Sequence, residues 1–469
     1  PPENPPRLYA PGLRMWAFAE ALVEAGHELT LFAAEFGETE KQGSGGGALE
    51  GPKKLPKGLS LYRLSPGAPP SLLSELIRKH QAQGVIASTD VMIRWVALGA
   101  PEVPTCFDFN GHPMAERQLQ ALVHEDDSGL AAQWRYIAPG LLTGDAFFTC
   151  SDPQKFALLG ELGVCGRLNR HTARVSLVDA VPPWSSYGEL RSTEGAIRGK
   201  VTPADACVIL WTGGYNTWAD TQTLLAALER AMEREPRIHF VSTGGEIKGH
   251  NEKTFSEFRA AVERSPHRER FHFCGWVASA EMSKFYRDAD LAVCLDSYSV
   301  EAELGTRTRI AEWIVAQVPV ATTAVCEFPK MLGDRGLVTT VRVGAVEELS
   351  DVLVSVAKNP EPFRERARTA LNFLRTEWTA QRVAKPLLDW AEHPRFAPDR
   401  EEGRTVREGG LRIPDNAQAR SMARWLAGQA ERTELEKDNA HLRRELDTLL
   451  GSRAVKTYLW LKGKKPPTI

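Results

Sequence analysis

The sequence lacks the features that mark a membrane-spanning, zinc-binding or nucleic-acid-binding protein. It contains no run of 18 or more apolar residues and no signal peptide, so we expect no transmembrane helix. None of its seven cysteines stands in a C-x-x-C pair, which argues against a zinc or thioredoxin-type site. The net charge is −2, so no overall positive field favours binding to DNA or RNA.

The composition is that of an ordinary globular protein. Of the 469 residues, 42% are hydrophobic and 25% are charged, which suffices for a sizeable core. At about 150 residues per domain, the length predicts roughly three structural units. The cysteines are odd in number and lie mostly within apolar runs, which favours a reducing, cytoplasmic location. Because the chain opens at Pro1 and no strand pattern precedes its first glycine, we also expect further residues upstream.

Helical and strand-like patterns alternate along most of the chain. In the first half, a helix at 14–24 precedes strands at 85–88, 103–109 and 146–150, and a Gly- and Lys-rich stretch at 37–56 predicts an exposed loop. A second alternating series runs from a strand at 206–211 to one at 318–323. This alternation predicts parallel sheets covered by helices on both faces. We therefore predict an α/β protein with Rossmann-like domains at 1–183 and 184–395, hinged near 181–184.

The C-terminal part follows a different pattern. Residues 396–418 are charged and contain Gly and Pro, which predicts a linker. Beyond it, leucines recur every seven residues at one of the two core positions of a heptad repeat (Leu435, Leu442 and Leu449). The other core position holds Arg432, Asn439 and Leu446. This heptad predicts a coiled-coil helix in 419–469, and hence a homodimer or a partner helix bound through 425–450.

Residues 455–465, near the end of the sequence, mix aromatic and basic side chains. Such a tail suits the interface between a membrane and water, with anionic lipid headgroups as its partners. It would equally suit packing within the fold or docking on another subunit. Peripheral contact with the inner face of the membrane is therefore one of the alternatives that the sequence leaves open.

A glycine turn follows the buried strand pattern at 206–211. Thr212, Gly213 and Gly214 end the strand, and Asn216 follows two residues later. Glycines in this place let backbone N–H groups approach phosphate oxygens, and Asp220 is a candidate cap for the next helix. No Gly-Lys-Ser/Thr follows, so the turn is not a P-loop. A purely structural tight turn would explain the Gly-Gly pair equally well.

A cluster of arginines and glutamates lies beyond the predicted strand at 291–295. Arg307 and Arg309 stand between Glu301 and Glu312. Arginine binds phosphate oxygens with two parallel hydrogen bonds, and a carboxylate can accept the hydroxyl protons of a ribose. The carboxyl end of a parallel strand is also where open α/β sheets bind ligands. The alternative is a salt-bridged helix face, in which Arg309 and Glu312 form an (i, i+3) pair.

Several motifs occur together in a fixed order over residues 8–398. The chain carries a Gly-Leu-Arg-Met-Trp run at 12–16, Gly-His-Glu-Leu-Thr at 26–30, Gly-Tyr-Asn-Thr-Trp at 214–218, Gly-Trp-Val at 275–277, the stretch 301–312, and Val-Pro-Val-Ala-Thr-Thr at 318–323. In this the sequence resembles the GT-B fold, family-4 bacterial glycosyltransferases of surface-polysaccharide pathways. The resemblance implies two facing Rossmann-like domains and transfer of a sugar from a nucleoside-diphosphate sugar.

The resemblance also implies roles for particular residues. Glu312 would lie at the ribose of the donor and Glu301 near the donor sugar, while Gly12 and Gly214 would line the phosphate side. The sequence departs from the family at Gly214 and Ala219, where an arginine and a lysine are usual. We expect Arg307 and Arg309, with Arg14 from the facing domain, to supply the missing positive charge. A further departure is Gln317, which takes the place of a glycine before the Pro-Val turn.

The family implies retention of anomeric configuration and no metal or other cofactor. Asp108 and His112 follow the predicted strand at 103–109 and are candidates for hydrogen bonds to donor-sugar or acceptor hydroxyls, with Glu116 as a weaker one. A capping Asp and a surface His are the alternative. The acceptor would be a glycan, a lipid-linked molecule or a protein. The other function that stays open is a catalytically silent GT-B subunit, which serves as a scaffold for a partner enzyme.

Overall fold

The alternating pattern folds into separate sheets in a computed structural model of the chain. The structure describes residues 10–34, 49–55, 59–65, 67–184, 192–248, 250–401, 403–452 and 462. Within these ranges no helix combines the length and apolar character that crossing a bilayer requires.

The N-terminal half contains two sheets. One has three strands in the order β1–β3–β2, in which β2 runs antiparallel to β3; the other is parallel, in the order β4–β5–β6–β7. The strands are β1 (Thr30–Ala34), β2 (Leu49–Lys54), β3 (Ser60–Leu64), β4 (Val85–Ser88), β5 (Thr105–Phe109), β6 (Ala146–Thr149) and β7 (Val178–Ala180). Strand β2 lies within the stretch predicted as a loop, and the rest of that stretch up to residue 48 is outside the described residues.

Among the residues that the structure describes, six helices accompany these strands. They are α1 (Ala10–Glu24), α2 (Leu72–His80), α3 (Asp90–Gly99), α4 (Pro113–His124), α5 (Ser128–Thr143) and α6 (Asp152–Val164). Helix α1 ends where the sequence predicts, because Gly26 adopts a left-handed φ of 93° that a side chain would oppose. Strand β5 is buried along its whole length, as expected of a strand in the middle of a covered parallel sheet.

The second half is one six-stranded parallel sheet in the order β10–β9–β8–β11–β12–β13. Its strands are β8 (Cys207–Thr212), β9 (Ile238–Thr243), β10 (Phe271–Gly275), β11 (Leu291–Cys294), β12 (Val320–Thr323) and β13 (Thr339–Val341). Successive residues of β8 point into different cores, since Ile209 packs on one face and Val208 on the other. The strand order reverses between β8 and β11, and ligands bind open α/β sheets at such a switch point.

In the described part of this half, ten α-helices cover the sheet and lead back to the first half. They are α7 (Thr221–Arg234), α8 (Lys253–Glu263), α9 (Met282–Asp288), α10 (Val300–Leu304), α11 (Thr308–Val315), α12 (Glu327–Asp334), α13 (Val346–Lys358), α14 (Glu361–Thr376), α15 (Ala380–Val383) and α16 (Lys385–Glu392). Leu387 and Trp390 of α16 join Phe18 and Leu22 of α1 in a shared apolar cluster. The chain thus crosses back onto the N-terminal half before its tail begins.

The segment that composition predicts to be a linker is an ordered arm on the N-terminal half. It contains the antiparallel hairpin of β14 (Thr405–Glu408) and β15 (Leu411–Pro414). Two buried ion pairs fasten it: Arg167 Nε lies 2.9 Å from Asp399, and Arg400 Nη1 lies 3.0 Å from Asp145. Their charges are matched locally, which explains how so polar a segment can be buried.

The last helix, α17 (Ala417–Gly451), continues directly from this arm. Ala419, Ala423 and Leu426 are buried in the core of the N-terminal half, whereas Leu435, Leu442 and Leu449 are exposed. The helix predicted for this region is therefore present, while its pairing with a second helix stays a prediction. The basic and aromatic tail at 455–465 lies, apart from Lys462, outside the described residues.

Candidate active site

Two glycine turns meet at the carboxyl ends of β8 and β9. Thr212 and Thr243 pair in the sheet, and each is followed by two glycines. Gly213 and Gly244 have left-handed φ angles of 82° and 109°, and a Cβ on Gly244 would lie 2.1 Å from the carbonyl oxygen of Gly213. Close backbone contact therefore requires glycine at 244, while at 213 the left-handed backbone favours it. The repeated Thr-Gly-Gly is a signal that our sequence analysis missed, since it considered the first turn alone.

Arg309, at the start of α11, lies against the first of these turns. Its Nη2 donates to the carbonyl oxygen of Gly214 at 3.2 Å, and its guanidinium lies 5.1 Å from the ring centre of Trp211. Its Nη1 is buried and has no hydrogen-bond partner among the described residues. Leaving a charged donor buried and unpaired is costly, so this nitrogen is suited to a ligand with negative charge.

Other buried donors near the turn are unpaired as well. Trp211 Nε1, Thr217 Oγ1 and Thr306 Oγ1 lack hydrogen-bond partners within the part of the chain that the structure describes. They belong to the end of β8, to the loop after Gly214, and to the residues just before α11. Native proteins leave few such groups, so their concentration in these three segments indicates a binding site rich in donors.

Arg307 is held differently, although only one residue separates it from Arg309. It is 4% exposed, and its Nε donates to Asp296 at 2.8 Å, its Nη2 to Glu301 at 3.5 Å, and its Nη1 to the carbonyl of Thr306 at 2.9 Å. The guanidinium also lies 4.7 Å from the ring centre of Trp218. Two carboxylates therefore balance its charge. These contacts do not support the prediction that Arg307 grips a diphosphate directly; it holds Glu301 and the end of β11.

Glu301 and Glu312 both have a pKa near neutrality. Burial raises the pKa of Glu301 to about 7, although the neighbouring Arg307 opposes this shift. Loss of solvent likewise raises the pKa of Glu312 to about 7, against the hydroxyl of Tyr286, which donates to its Oε2 at 3.4 Å. A carboxyl group with such a pKa can donate or accept a hydrogen bond at neutral pH. Both glutamates thus suit binding of sugar hydroxyls.

On the facing sheet, Arg14 and Asp108 form a closed pair. The nearest approach, from Arg14 Nη2 to Asp108 Oδ1, is 2.7 Å, and Ser88 donates to the other carboxylate oxygen at 2.8 Å. The remaining donors of Arg14 reach the carbonyls of Val181 and Thr149. These contacts engage every nitrogen of the Arg14 guanidinium and both carboxylate oxygens of Asp108. Their predicted roles are therefore not supported, and the pair joins α1 to β5.

Two other predicted residues of the N-terminal half have structural positions. Gly12 lies inside α1, and a Cβ added there would meet nothing within 4 Å, so no close approach requires glycine. His112 caps α4: its Nδ1 accepts from the N–H of Ala115 at 3.2 Å, and its Nε2 lies 3.5 Å from Glu161. Burial lowers the pKa of His112 and raises that of Glu161 to about 7. The capping alternative thus fits His112 better than the catalytic one.

The loop after the first glycine turn is ordered by its own polar groups. Asn216 is 8% exposed, and its Oδ1 accepts from the N–H of Thr217 at 2.9 Å. Asp220 caps α7 by accepting from the N–H of Thr223 at 3.0 Å, as predicted. Across the described residues, no three His, Cys, Asp or Glu side chains come together in a way that could hold a metal ion.

Comparison with known proteins gives this site its context. Residues 206–359 match the family model described as group 1 glycosyl transferases. This part of the chain is a group 1 glycosyl transferase domain. The family is one of retaining enzymes that use nucleotide sugars. No curated protein matches the chain by sequence.

Solved structures extend the likeness to both halves of the glycosyltransferase. Sucrose-phosphate synthase from Thermosynechococcus elongatus is 14% identical, with a TM-score of 0.58, covering 81% of this chain and 92% of that one. The α,α-trehalose 6-phosphate synthase from Burkholderia multivorans is 10% identical, with a TM-score of 0.58 over 83% and 93%. HepE from Anabaena, in complex with UDP-glucose, is 13% identical, with a TM-score of 0.51 over 68% and 82%. At such identities the likeness establishes the fold, GT-B, as predicted.

Proposed function

We propose that this glycosyltransferase binds the diphosphate of its donor between Arg309 and the paired glycine turns after β8 and β9. The unpaired, buried Nη1 of Arg309 is the observation that carries the proposal. Its neighbour Nη2 is anchored on the carbonyl of Gly214, so the guanidinium is fixed where a phosphate would approach the turn. Arg309 thereby replaces the arginine and lysine that the family usually has at the positions of Gly214 and Ala219.

The carboxylates take the sugar ends of the donor in this proposal. Glu312 accepts hydrogen bonds from the ribose, and Glu301 binds hydroxyls of the transferred sugar. Arg307 acts through Glu301, since its Nη2 lies 3.5 Å from that carboxylate and its Nε is fixed on Asp296. Arg307 is thus a positioning residue, in place of the direct diphosphate role predicted from sequence.

Transfer would then proceed with retention and without a metal. The bond between the anomeric carbon and the diphosphate oxygen breaks, the acceptor oxygen bonds to the same face of the sugar, and the acceptor's proton passes to the leaving diphosphate oxygen. The negative charge that develops on the leaving diphosphate lies beside the fixed guanidinium of Arg309, which stabilises it electrostatically. Binding donor and acceptor in one cleft supplies the orientation. The acceptor class, whether glycan, lipid-linked molecule or protein, stays open.

Calorimetric titration with UDP, GDP, ADP and dTDP tests the proposal. UDP is the first choice because the Anabaena neighbour was solved with UDP-glucose. We expect one of the four to bind, and Arg309→Ala to weaken that binding by roughly tenfold to a hundredfold, as expected for a lost charged hydrogen bond. Arg366→Ala is a matched control, because Arg366 also stacks on a ring, 5.8 Å from Phe363, on helix α14.

The competing function is a silent GT-B scaffold. It is favoured by the replacement of the family's usual cations at Gly214 and Ala219. If the wild-type chain bound none of the four diphosphates, the scaffold function would stand and ours would fall.

We also propose that α17 pairs with a second copy of itself in parallel. The exposed leucines Leu435, Leu442 and Leu449 recur at heptad spacing, and Asn439 lies at a seam position where asparagine favours parallel dimers. Light scattering should give twice the 51.9 kDa of one chain, falling to one chain for Leu442→Asp. Exposed Leu122 gives the control Leu122→Asp. Lipid contact by 455–465 remains a proposal, tested by comparing liposome pelleting of the full chain and of residues 1–450.

A further inference from the structure

His250 bridges the two halves of the molecule. It lies in the loop between β9 and α8, and its Nε2 is 2.9 Å from Oε1 of Glu116 on α4 of the N-terminal half. Its Nδ1 is 3.0 Å from the side-chain amide of Gln120, one turn further along the same helix. Its Nε2 also lies 3.1 Å from Oδ1 of Asn216, in the loop after the first glycine turn. One imidazole therefore contacts α4 and the proposed phosphate turn together.

The contacts define how the ring is used. Two oxygens face Nε2, so this nitrogen donates its hydrogen, and Nδ1 can accept from the amide of Gln120. Gln120 Oε1 accepts from Arg117 Nη1 at 2.7 Å, which keeps the amide nitrogen of Gln120 toward the ring. Protonation of Nδ1 would therefore give up the Gln120 hydrogen bond while it adds a full positive charge opposite Glu116.

A second contact supports this meeting of the halves. Nζ of Lys253, at the start of α8, donates to the carbonyl of Val123 near the end of α4 at 3.0 Å. The loop that carries His250 is thus held along the length of α4. This is separate from the packing of α16 on α1, which joins the halves elsewhere.

We propose that His250 is a positioning residue that latches α4 onto the loop of Asn216, so that closure of the cleft and ordering of the phosphate turn occur together. The effect on donor binding rests on the proposed function; the latch itself does not. Glu116, considered from sequence as an acceptor-side group, becomes the partner of this latch.

Charges around His250 give the latch a pH dependence. Burial lowers the pKa of His250, whereas Glu116 on α4 and Glu301 on α10 raise it and Arg117 on α4 lowers it. The net result is a raised pKa of His250. A group whose pKa is higher in the closed state favours closure at low pH. Closure is therefore strongest at pH values below the pKa that His250 has in the open state. It weakens as the pH rises through the pKa that His250 has in the closed state.

Small-angle scattering of the full chain, without ligand, tests the latch. We expect the radius of gyration of the wild type to increase between pH 6 and pH 8. His250→Ala should show the larger value at both pH values, and His250→Gln, which keeps a donor, should restore part of the closure without the pH response. His171→Ala, at an exposed histidine that accepts a hydrogen bond from Arg170 Nε, is the control and should behave as the wild type.

A second measurement uses the partner and the donor. Glu116→Gln should remove the pH response, and its effect should not add to that of His250→Ala, because both break one contact. Titration with UDP should show roughly three- to tenfold weaker binding for His250→Ala. A wild-type radius and pH response in His250→Ala would overturn the latch. If the wild type bound none of UDP, GDP, ADP and dTDP, the proposed function would fall, and the scattering result alone would test the latch.

Discussion

The two facing sheets use the carboxyl ends of their strands in opposite ways. In the N-terminal half, Arg14 is buried there and each nitrogen of its guanidinium has an acceptor, with Asp108 and Ser88 closing the network. In the C-terminal half, Arg309 stands at the corresponding end of β8, anchored by one nitrogen and unpaired at another. A buried arginine that meets a carboxylate joins secondary-structure elements. One that meets a glycine turn and keeps a free donor is ready for an anion.

The same contrast recurs within α11 and the residues before it. Arg307 is matched by Asp296 and Glu301, while Arg309 has no carboxylate within salt-bridge distance among the described residues. Both arginines stack on a tryptophan, so burial and ring contact do not distinguish them. The number of guanidinium donors that have acceptors does distinguish Arg307 from Arg309. It assigns Arg307 to organising the site and Arg309 to binding.

The prediction with the largest expected effect concerns the pair of Arg14 and Asp108 in the N-terminal half. Asp108→Ala leaves the guanidinium of Arg14 buried without its counter-charge, which should lower the free energy of unfolding by about 3–5 kcal/mol. Denaturant unfolding measures it, with Lys385→Ala as control. Lys385 forms an exposed pair with Asp389, and breaking that pair should cost under about 1 kcal/mol. Equal losses in the two variants would show that Arg14 and Asp108 are not the closed network described above.

Much of the fold follows from sequence pattern. The predicted strand at 85–88 has those bounds in the structure, and the strand predicted at 206–211 lies at Cys207–Thr212, because apolar runs between clear turn residues leave little choice. The site is less predictable. Spacing brought Glu301, Arg307, Arg309 and Glu312 together but could not say which arginine is neutralised, since Asp296 reaches Arg307 only once β11 and α11 are folded.

The pH dependence of UDP binding tests the C-terminal half of the comparison. Because the pKa of Glu312 is about 7, the fraction of its ionised form, which is the stronger acceptor for ribose hydroxyls, increases as the pH rises toward 7. UDP affinity should therefore rise with pH up to about 7, by at most about tenfold per pH unit. Glu312→Gln should bind UDP more weakly and lose this component of the slope. UDP titrates its own phosphate, so an unchanged slope in Glu312→Gln would assign the whole effect to the ligand.

The smallest effect concerns a residue behind the site. Gln317 has a left-handed φ of 60°, and its side-chain Nε2 is buried without a partner in the ranges that the structure describes. The glycine that the family has at this position would avoid both the left-handed backbone strain and the unpaired side-chain amide. Gln317→Gly should raise the free energy of unfolding by about 1 kcal/mol. Gly336→Ala, at a φ of 67° with open space around it, is the reverse control and should lower it by a similar amount. If Gln317→Gly lowered the free energy of unfolding, the backbone at Gln317 would not be strained.

Other features could not be read from the sequence because they depend on distant partners. The polar composition of 396–418 predicts a linker, but the arm is ordered by Arg167 and Asp145, more than 200 residues earlier. His250 was overlooked for the same reason, since its partners lie on α4. The Thr-Gly-Gly repeat, by contrast, was visible in the sequence and becomes informative once β8 and β9 are paired.

The central claim is that Arg309 provides the free donor for the donor diphosphate, and titration of UDP and uridine against wild type and Arg309→Ala tests it most directly. The two ligands differ by the diphosphate alone. We expect Arg309→Ala to lose roughly tenfold to a hundredfold in UDP affinity while binding uridine as the wild type does. If Arg309→Ala bound UDP as tightly as the wild type, or lost uridine and UDP affinity equally, Arg309 would not be the phosphate ligand.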